Sequence, residues 1–269
     1  MSIFGVGGTL GFALGPVLVT AAVLHWGLKG AAIFALPAVG TAGLLAWYWS
    51  THIEAASAPQ PGKAVDPLET RGDAWGPFAR LTGAVITRAV LFYGFNTFIP
   101  LYWIHVLRRS QAAGAMALTC FALAGILGNL LGGLAADRFG HVRIATGGFV
   151  VLLPLIPAFL AVTSEPAALA ILVLIGFALS TTYSPLIILG QRYLPNRIGF
   201  SAGVTLGLGV TIGGVTTPLL GQVADHHGLW AAMAVLSLVP LVSAGLTLTL
   251  PRPVHMHRRQ AIRAGGARR

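Results

Sequence analysis

Gly133-Leu134-Ala135-Ala136-Asp137-Arg138-Phe139-Gly140 lies between two long apolar runs, and Gly221-Gln222-Val223-Ala224-Asp225-His226-His227-Gly228 repeats its pattern further on. Both read G-x-x-A-D-x-x-G. A short polar stretch closed by glycine between apolar runs marks a tight turn from one helix to the next. Three apolar runs separate the copies, so if each run crosses a bilayer the copies fall on opposite faces. Arg143 follows the first copy, while the second carries His226 and His227.

A longer self-similarity frames this one. Residues 4–28 match residues 206–229, with identities at Gly5/Gly207, Gly7/Gly209, Thr9/Thr211, Gly11/Gly213, Pro16/Pro218 and Leu18/Leu220. A duplicated unit dictates the architecture. Inverted three-helix units nested in a six-helix half are a construction known from membrane transporters. Chance recurrence of a short Gly-Asp turn is the competing reading, and the longer repeat weighs against it. Four apolar runs within residues 83–190 lead into the second copy and none precedes the first, so the expectation is a chain whose first half lacks its front.

Composition points to lipid as the solvent. Hydrophobic residues make up 55% of the 269-residue chain and charged residues 9%, against roughly 25% charged in a soluble domain. Apolar runs long enough to cross about 30 Å of hydrocarbon recur throughout. Eight are predicted, over 3–24, 31–49, 83–106, 112–133, 144–162, 167–190, 200–221 and 229–250. The Pro, Gly and charged residues of 50–80 read as a linker. The net charge of +10 does not indicate nucleic acid: Arg252, Arg258, Arg259, Arg263, Arg268 and Arg269 gather in the tail, and most other arginines flank apolar runs. With the carboxyl end in the cytoplasm, 13 of the 17 Lys and Arg lie inside and Lys29, Arg108 and Arg109 outside, the bias that sets topology. Arg108-Arg109 runs against that bias. The lone Cys120 allows no internal disulfide.

Four segments, Ser2-Ile3-Phe4-Gly5-Val6-Gly7-Gly8, Gly11-Phe12-Ala13-Leu14-Gly15-Pro16, Gly133 to Arg143, and Leu194-Pro195-Asn196-Arg197-Ile198-Gly199 with the Gly-rich run after it, carry a further signal. In them the chain resembles the major facilitator superfamily, and within it the fosmidomycin-resistance type. The resemblance implies an all-α membrane protein, a major facilitator-type helical bundle whose eight transmembrane helices correspond to helices 5–12 of twelve, without the first four. Residues 1–50 would be the last two helices of the N-terminal bundle, 51–80 a cytoplasmic linker, 81–251 the C-terminal six-helix bundle and 252–269 a basic cytoplasmic tail. It further implies a multi-pass protein of a bacterial-type inner membrane, both termini cytoplasmic, exporting a small drug or metabolite against protons by alternating access. Its partners would be the lipid bilayer, a small-molecule substrate and protons. An importer on the same fold and a non-transporting truncated fragment are the rival readings.

On this resemblance Gly11, Gly15 and Pro16 form the antiporter-type motif, and Gly133, Asp137, Arg138, Gly140 and Arg143 a conformational gate. The family's turn carries a further arginine after its last glycine; here His141 and Val142 intervene, which weakens the charge clamp. A carboxylate beside a helix amino end can accept backbone N–H bonds and pair with a neighbouring arginine. The plainer alternative is a polar turn that ends a helix in water. Glycines four apart, as in Gly7/Gly11/Gly15, Gly128/Gly132, Gly203/Gly207 and Gly209/Gly213, let membrane helices approach closely, either as fixed packing or as a sliding seam.

Arg88, Phe92, Asn96, Ile99 and Trp103 share one helical strip, and Arg88 is the basic residue that a span can bury. At the bilayer centre its charge costs about 2.5–3.5 kcal/mol on insertion scales. Counting back from Val106 places it near a boundary, where it can snorkel to water; otherwise the strip lines a cavity for an anionic or polar solute. Ser180, Thr181, Thr182, Tyr183 and Ser184 precede Pro185, which removes a backbone hydrogen bond and kinks the helix. Their hydroxyls either refill freed backbone groups or, at Tyr183 and Ser184, meet substrate. The candidate substrate contacts are therefore Arg88, Phe92, Asn96, Trp103, Tyr183 and Ser184. Every acid lies in the linker or at a span end, so a proton-carrying carboxylate is expected outside these runs. No metal site, cofactor motif or catalytic constellation emerges, which argues against an enzyme.

Overall fold

The computed structural model describes residues 34–57 and 72–251, with isolated positions at 22, 26, 27 and 30. The predicted span 3–24, the motif Gly11, Gly15 and Pro16, most of the linker and the tail 252–269 lie outside the described residues. The chain divides into two compact units, one formed from residues 10–71 and the other containing all of 72–251.

In the first unit, helix α1 (Ala35–Ser57) covers much of the predicted span 31–49 and continues past it. Its apolar stretch is Ala35–Leu44. Leu36, Val39, Leu44 and Trp47 are exposed.

The second unit is helical throughout. Its elements are α2 (Trp75–His105), α3 (Gln111–Phe139), α4 (His141–Ala161), α5 (Glu165–Thr181), α6 (Tyr183–Tyr193), a 3-10 turn (Pro195–Arg197), α7 (Ile198–Ala202), a π-helical turn (Gly203–Leu208), α8 (Gly209–His227) and α9 (Leu229–Leu248). These make six stretches long and apolar enough to cross a membrane, one for each predicted span from 83–106 onward. Among the described residues there is no strand. One boundary differs. Helix α2 begins at Trp75 rather than at 83, because Pro77 falls in the first turn, where a missing N–H breaks no intrahelical bond.

The two G-x-x-A-D-x-x-G segments share one backbone shape. Gly140 has φ 101° and Gly228 φ 85°, a region that favours glycine. Each donates its N–H to the alanine of the motif, Gly140 to Ala136 O and Gly228 to Ala224 O, both at 2.9 Å. The motif's alanine accepts the closing bond, its glycine reverses the chain, and the next helix starts one residue later. At the opposite end of α3, Ser110 Oγ accepts from Ala113 N at 3.2 Å, a side-chain N-cap.

Packing inside the unit relies on close approach, because in lipid apolar surface gains little from leaving its solvent. Helix α3 lies against α5: a Cβ at Gly132 would sit 2.5 Å from Thr181 Cα, one at Gly125 2.8 Å from Ser180 Oγ, and one at Gly128 would strike the Phe177 carbonyl. Gly148 of α4 approaches the same stretch at Thr182 and Ala178. Gly128 and Gly132 are thus fixed packing within one unit. Elsewhere an aromatic core fills the space: Phe95 stacks on Phe121 at 5.9 Å, and Phe159 meets Tyr102 at 5.1 Å and Trp103 at 6.0 Å.

Both ends of the unit are tied by polar contacts. At one end Asp73 accepts from Asn196 N at 3.3 Å and pairs with Arg197 at 3.4 Å, while Arg80 donates to Thr249 O at 2.9 Å. At the other, Arg109 pairs with Glu165 at 3.1 Å, which gives one arginine of the out-of-place pair a neutralising partner.

Candidate functional site

Arg88 lies beside the midpoint of the 31-residue α2, not near its end. The earlier start of α2 puts Arg88 mid-helix, and its side chain turns to two aromatic rings. Its guanidinium carbon stands 4.5 Å from the centre of the Tyr183 ring and 5.6 Å from that of Phe92. Two cation–π contacts of about 0.5–2 kcal/mol each offset much of the cost of a charge held inside a bilayer. The buried Nε has no hydrogen-bond partner among the described residues.

Tyr183 reaches this position through a break in the fourth crossing. Pro185 cannot donate to the carbonyl four residues back, and the chain is interrupted at Thr182 between α5 and α6. Thr181 Oγ1 donates to Ala178 O and Thr182 Oγ1 to Leu179 O, each at 2.7 Å. These two hydroxyls serve the backbone. Tyr183 instead turns its ring to Arg88, and Ser184 is buried beside it in sequence.

The predicted strip on α2 splits in two. Arg88, Phe92 and Asn96 stay together, with Asn96 Nδ2 donating to Phe92 O at 2.8 Å. Ile99 and Trp103 are buried in the aromatic core, where Trp103 stacks on Phe159. Trp103 is therefore a packing residue in this structure, separated from the other candidates.

Three features escaped the sequence reading. Tyr93, one residue off the strip, meets Phe92 edge-on at 5.4 Å and presses on Gly213 of α8, where a Cβ would enter its ring. Ser243 of α9, fully buried, donates to Thr87 Oγ1 at 2.7 Å and so fixes α2 one residue from Arg88. Asn129, the one asparagine of α3, is buried with neither amide atom bonded among the described residues. Its signal was the amide itself in an otherwise apolar run.

The predicted gate occupies the turn between α3 and α4. Gly133 is buried, and Asp137, Arg138, Gly140 and Arg143 are exposed. Asp137 Oδ1 stands 3.4 Å from Nε2 of buried His141, four residues on, without hydrogen-bond geometry. Its partner among the described residues is thus a histidine at the head of the next helix, not an arginine. Arg138 rests over the Phe139 ring at 5.6 Å.

Comparison with known proteins completes the description. The profile of the Major Facilitator Superfamily matches residues 1–206. The fosmidomycin resistance protein of Escherichia coli (strain K12) is 26% identical over 258 residues, covering 94% of this chain and 63% of that protein. An uncharacterised MFS-type transporter of Bacillus subtilis (strain 168) is 26% identical over 267 residues, 93% of this chain and 62% of the relative. The proline/betaine transporter of Salmonella typhimurium is 26% identical over 243 residues, 81% and 48% respectively. The chain spans less than two thirds of the length of each of these relatives. With the profile covering most of its residues and six apolar helices that pack as a bundle, the chain is an integral, multi-pass membrane protein and belongs to the Major Facilitator Superfamily.

Proposed function

We propose that the protein is a membrane transporter that exports a small drug or metabolite in exchange for protons by alternating access. The observation that carries this reading is the Arg88–Tyr183–Phe92 cluster, a charge kept at mid-span beside a broken helix, the arrangement transporters use for midplane sites. Arg88, Phe92, Asn96 and Tyr183 contact the solute, with Ser184 behind them. The Asp137 turn, with Gly133, Arg138, Gly140, His141 and Arg143, acts as the gate. Within residues 72–251 the acids Asp73, Asp137, Glu165 and Asp225 all stand at helix ends, so the coupling proton is carried elsewhere in the protein. The six arginines of residues 252–269 favour a cytoplasmic carboxyl terminus, and the even number of predicted spans puts the amino terminus on the same side.

Similarity to the fosmidomycin resistance protein supports export. Similarity to proline/betaine transporters supports a second reading, an importer of a small metabolite on the same fold. Everted vesicles bearing the protein, energised acid inside, test the two. Accumulation of labelled fosmidomycin that a protonophore abolishes is the result expected. Gradient-dependent uptake of proline or betaine confined to right-side-out vesicles selects the importer. Absence of gradient-dependent movement in both orientations overturns transport.

A further inference from the structure

We infer that the corner where α2 and the fifth crossing both begin is a seat for an anionic phospholipid, with the phosphate on Arg197 and an acyl chain along Trp75 and Phe200. Polar bonds join the two segments there. Ala74 N donates to Tyr193 O at 2.8 Å, and Asp73 accepts from Asn196 N at 3.3 Å and pairs with Arg197 Nε at 3.4 Å. The guanidinium carbon stands 5.5 Å from the centre of the Trp75 ring. Phe200 meets Trp75 at 5.7 Å and Phe78 at 6.1 Å. These contacts hold one cation and a wall of rings in a fixed arrangement.

The corner presents both halves of a lipid's chemistry at once. Trp75, Ile198 and Phe200 are each about half exposed, and the Arg197 side chain is 63% exposed. Trp75 opens α2, and Ile198 and Phe200 lie in α7 at the head of the fifth crossing, so all stand at a span end. Indole rings settle at this level of a bilayer, where acyl chains meet phosphates. Asp73 takes Arg197 at Nε. The terminal N–H groups of the fork, for which no described residue supplies an acceptor, suit the oxygens of a phosphate. The exposed rings favour a lipid over a soluble phosphate, which has no apolar part to lay on them. Charge favours an anionic headgroup. Arg80 and Arg192 are exposed at the same end of the unit, whereas the corner's acid, Asp73, is mostly covered and already paired. A headgroup ammonium finds no free carboxylate there, and basic clusters at a span end attract anionic lipids.

Native mass spectrometry of the full chain in a nonionic detergent, titrated with dioleoyl phosphatidylglycerol or dioleoyl phosphatidylcholine, tests this without requiring transport. The tightest-bound phosphatidylglycerol is expected to hold roughly tenfold or more better than phosphatidylcholine. Arg197→Gln should weaken it about fivefold or more. Asp73→Asn breaks the same ion pair but leaves the cation, and should keep or raise the affinity. The two variants share the structural cost of the lost pair, so opposite effects on the lipid separate recognition from folding. Arg109→Gln, at the opposite end of the unit, should leave the affinity unchanged. Equal affinity for the two lipids, no effect of Arg197→Gln, or equal losses in Arg197→Gln and Asp73→Asn would each overturn the inference. So would a loss in Arg109→Gln as large as that in Arg197→Gln, which would mean a diffuse attraction to positive charge. Glycerol 3-phosphate, the head without the chains, should not displace the lipid at up to about 10 mM; displacement would make this a soluble-phosphate site and sink the lipid assignment.

Discussion

The second and fifth crossings of the unit both end in the G-x-x-A-D-x-x-G turn, and both are rich in glycine. In α3 the glycines are filled from outside: Gly125, Gly128 and Gly132 each meet α5 at distances that leave no room for a Cβ. In the fifth crossing, Gly199, Gly203, Gly207, Gly214 and Gly221 have nothing within 4 Å among the described residues, and this crossing is the least buried of the six. Gly209 makes an ordinary contact with Ala89 Cβ at 3.8 Å, and Gly213, pressed by Tyr93, is the exception. Among the described residues, the same spacing thus makes a closed seam in one place and an uncontacted face in the other. Spacing tells that a helix can be approached closely; the neighbour decides whether it is.

The largest effect should come from closing the filled seam to glycine alone. Gly132→Leu forces a side chain into the backbone of Thr181, and overpacking of this kind costs about 3 kcal/mol or more; folded yield and melting by size-exclusion fluorescence should collapse. Gly203→Leu should stay within about 0.5 kcal/mol of wild type. Equal losses at the two positions would erase the contrast.

The exception sharpens it. Gly213→Ala should cost about 1–2 kcal/mol by displacing Tyr93, and Tyr93→Ala should recover most of that loss in a double-mutant cycle. Additive losses would show that Tyr93 is not the obstruction.

A further pair compares the two turns that end these crossings. Asp137→Asn should lower transport severalfold, by about 1 kcal/mol in rate, with insertion intact, because the turn keeps its shape and loses its charge toward His141. Asp225→Asn, in the matching turn, should leave transport near wild type. Similar rates for both variants would reduce the Asp137 turn to a helix stop. Smallest of all, Arg109→Gln should shift stability by less than about 1 kcal/mol, since Arg109 is exposed and its partner Glu165 only half-buried.

Much of this was legible in the sequence for identifiable reasons. Apolar length set the six crossings after residue 72, and the repeated Gly-Ala-Asp-Gly pattern encoded a turn whose alanine and glycine do the same work twice. Arg88 was expected nearer a helix end because Gly76 and Pro77 looked like linker, although a proline is welcome in a first helical turn. The strip Arg88 to Trp103 was read correctly as one face of a helix. Periodicity says nothing of what that face meets along its length: the Arg88 half meets Tyr183, and the Trp103 half meets Phe159. The π turn at Gly203–Leu208 left no mark that glycine content alone would distinguish. Tyr93 was hidden by its place next to the strip, since only the approach of Gly213 gives it a role.

The reversals at Gly140 and Gly228 bear on how the protein presents itself to enzymes in its surroundings. A protease must draw several extended residues into its cleft, and a peptide tag needs a tolerant loop. A single glycine between helices, as between Phe139 and His141 or between His227 and Leu229, supplies neither. Helices α3–α4 and α8–α9 should therefore survive nicking as intact pairs, and cuts or inserted epitopes should concentrate at residues 106–110, the longest connection between the six crossings.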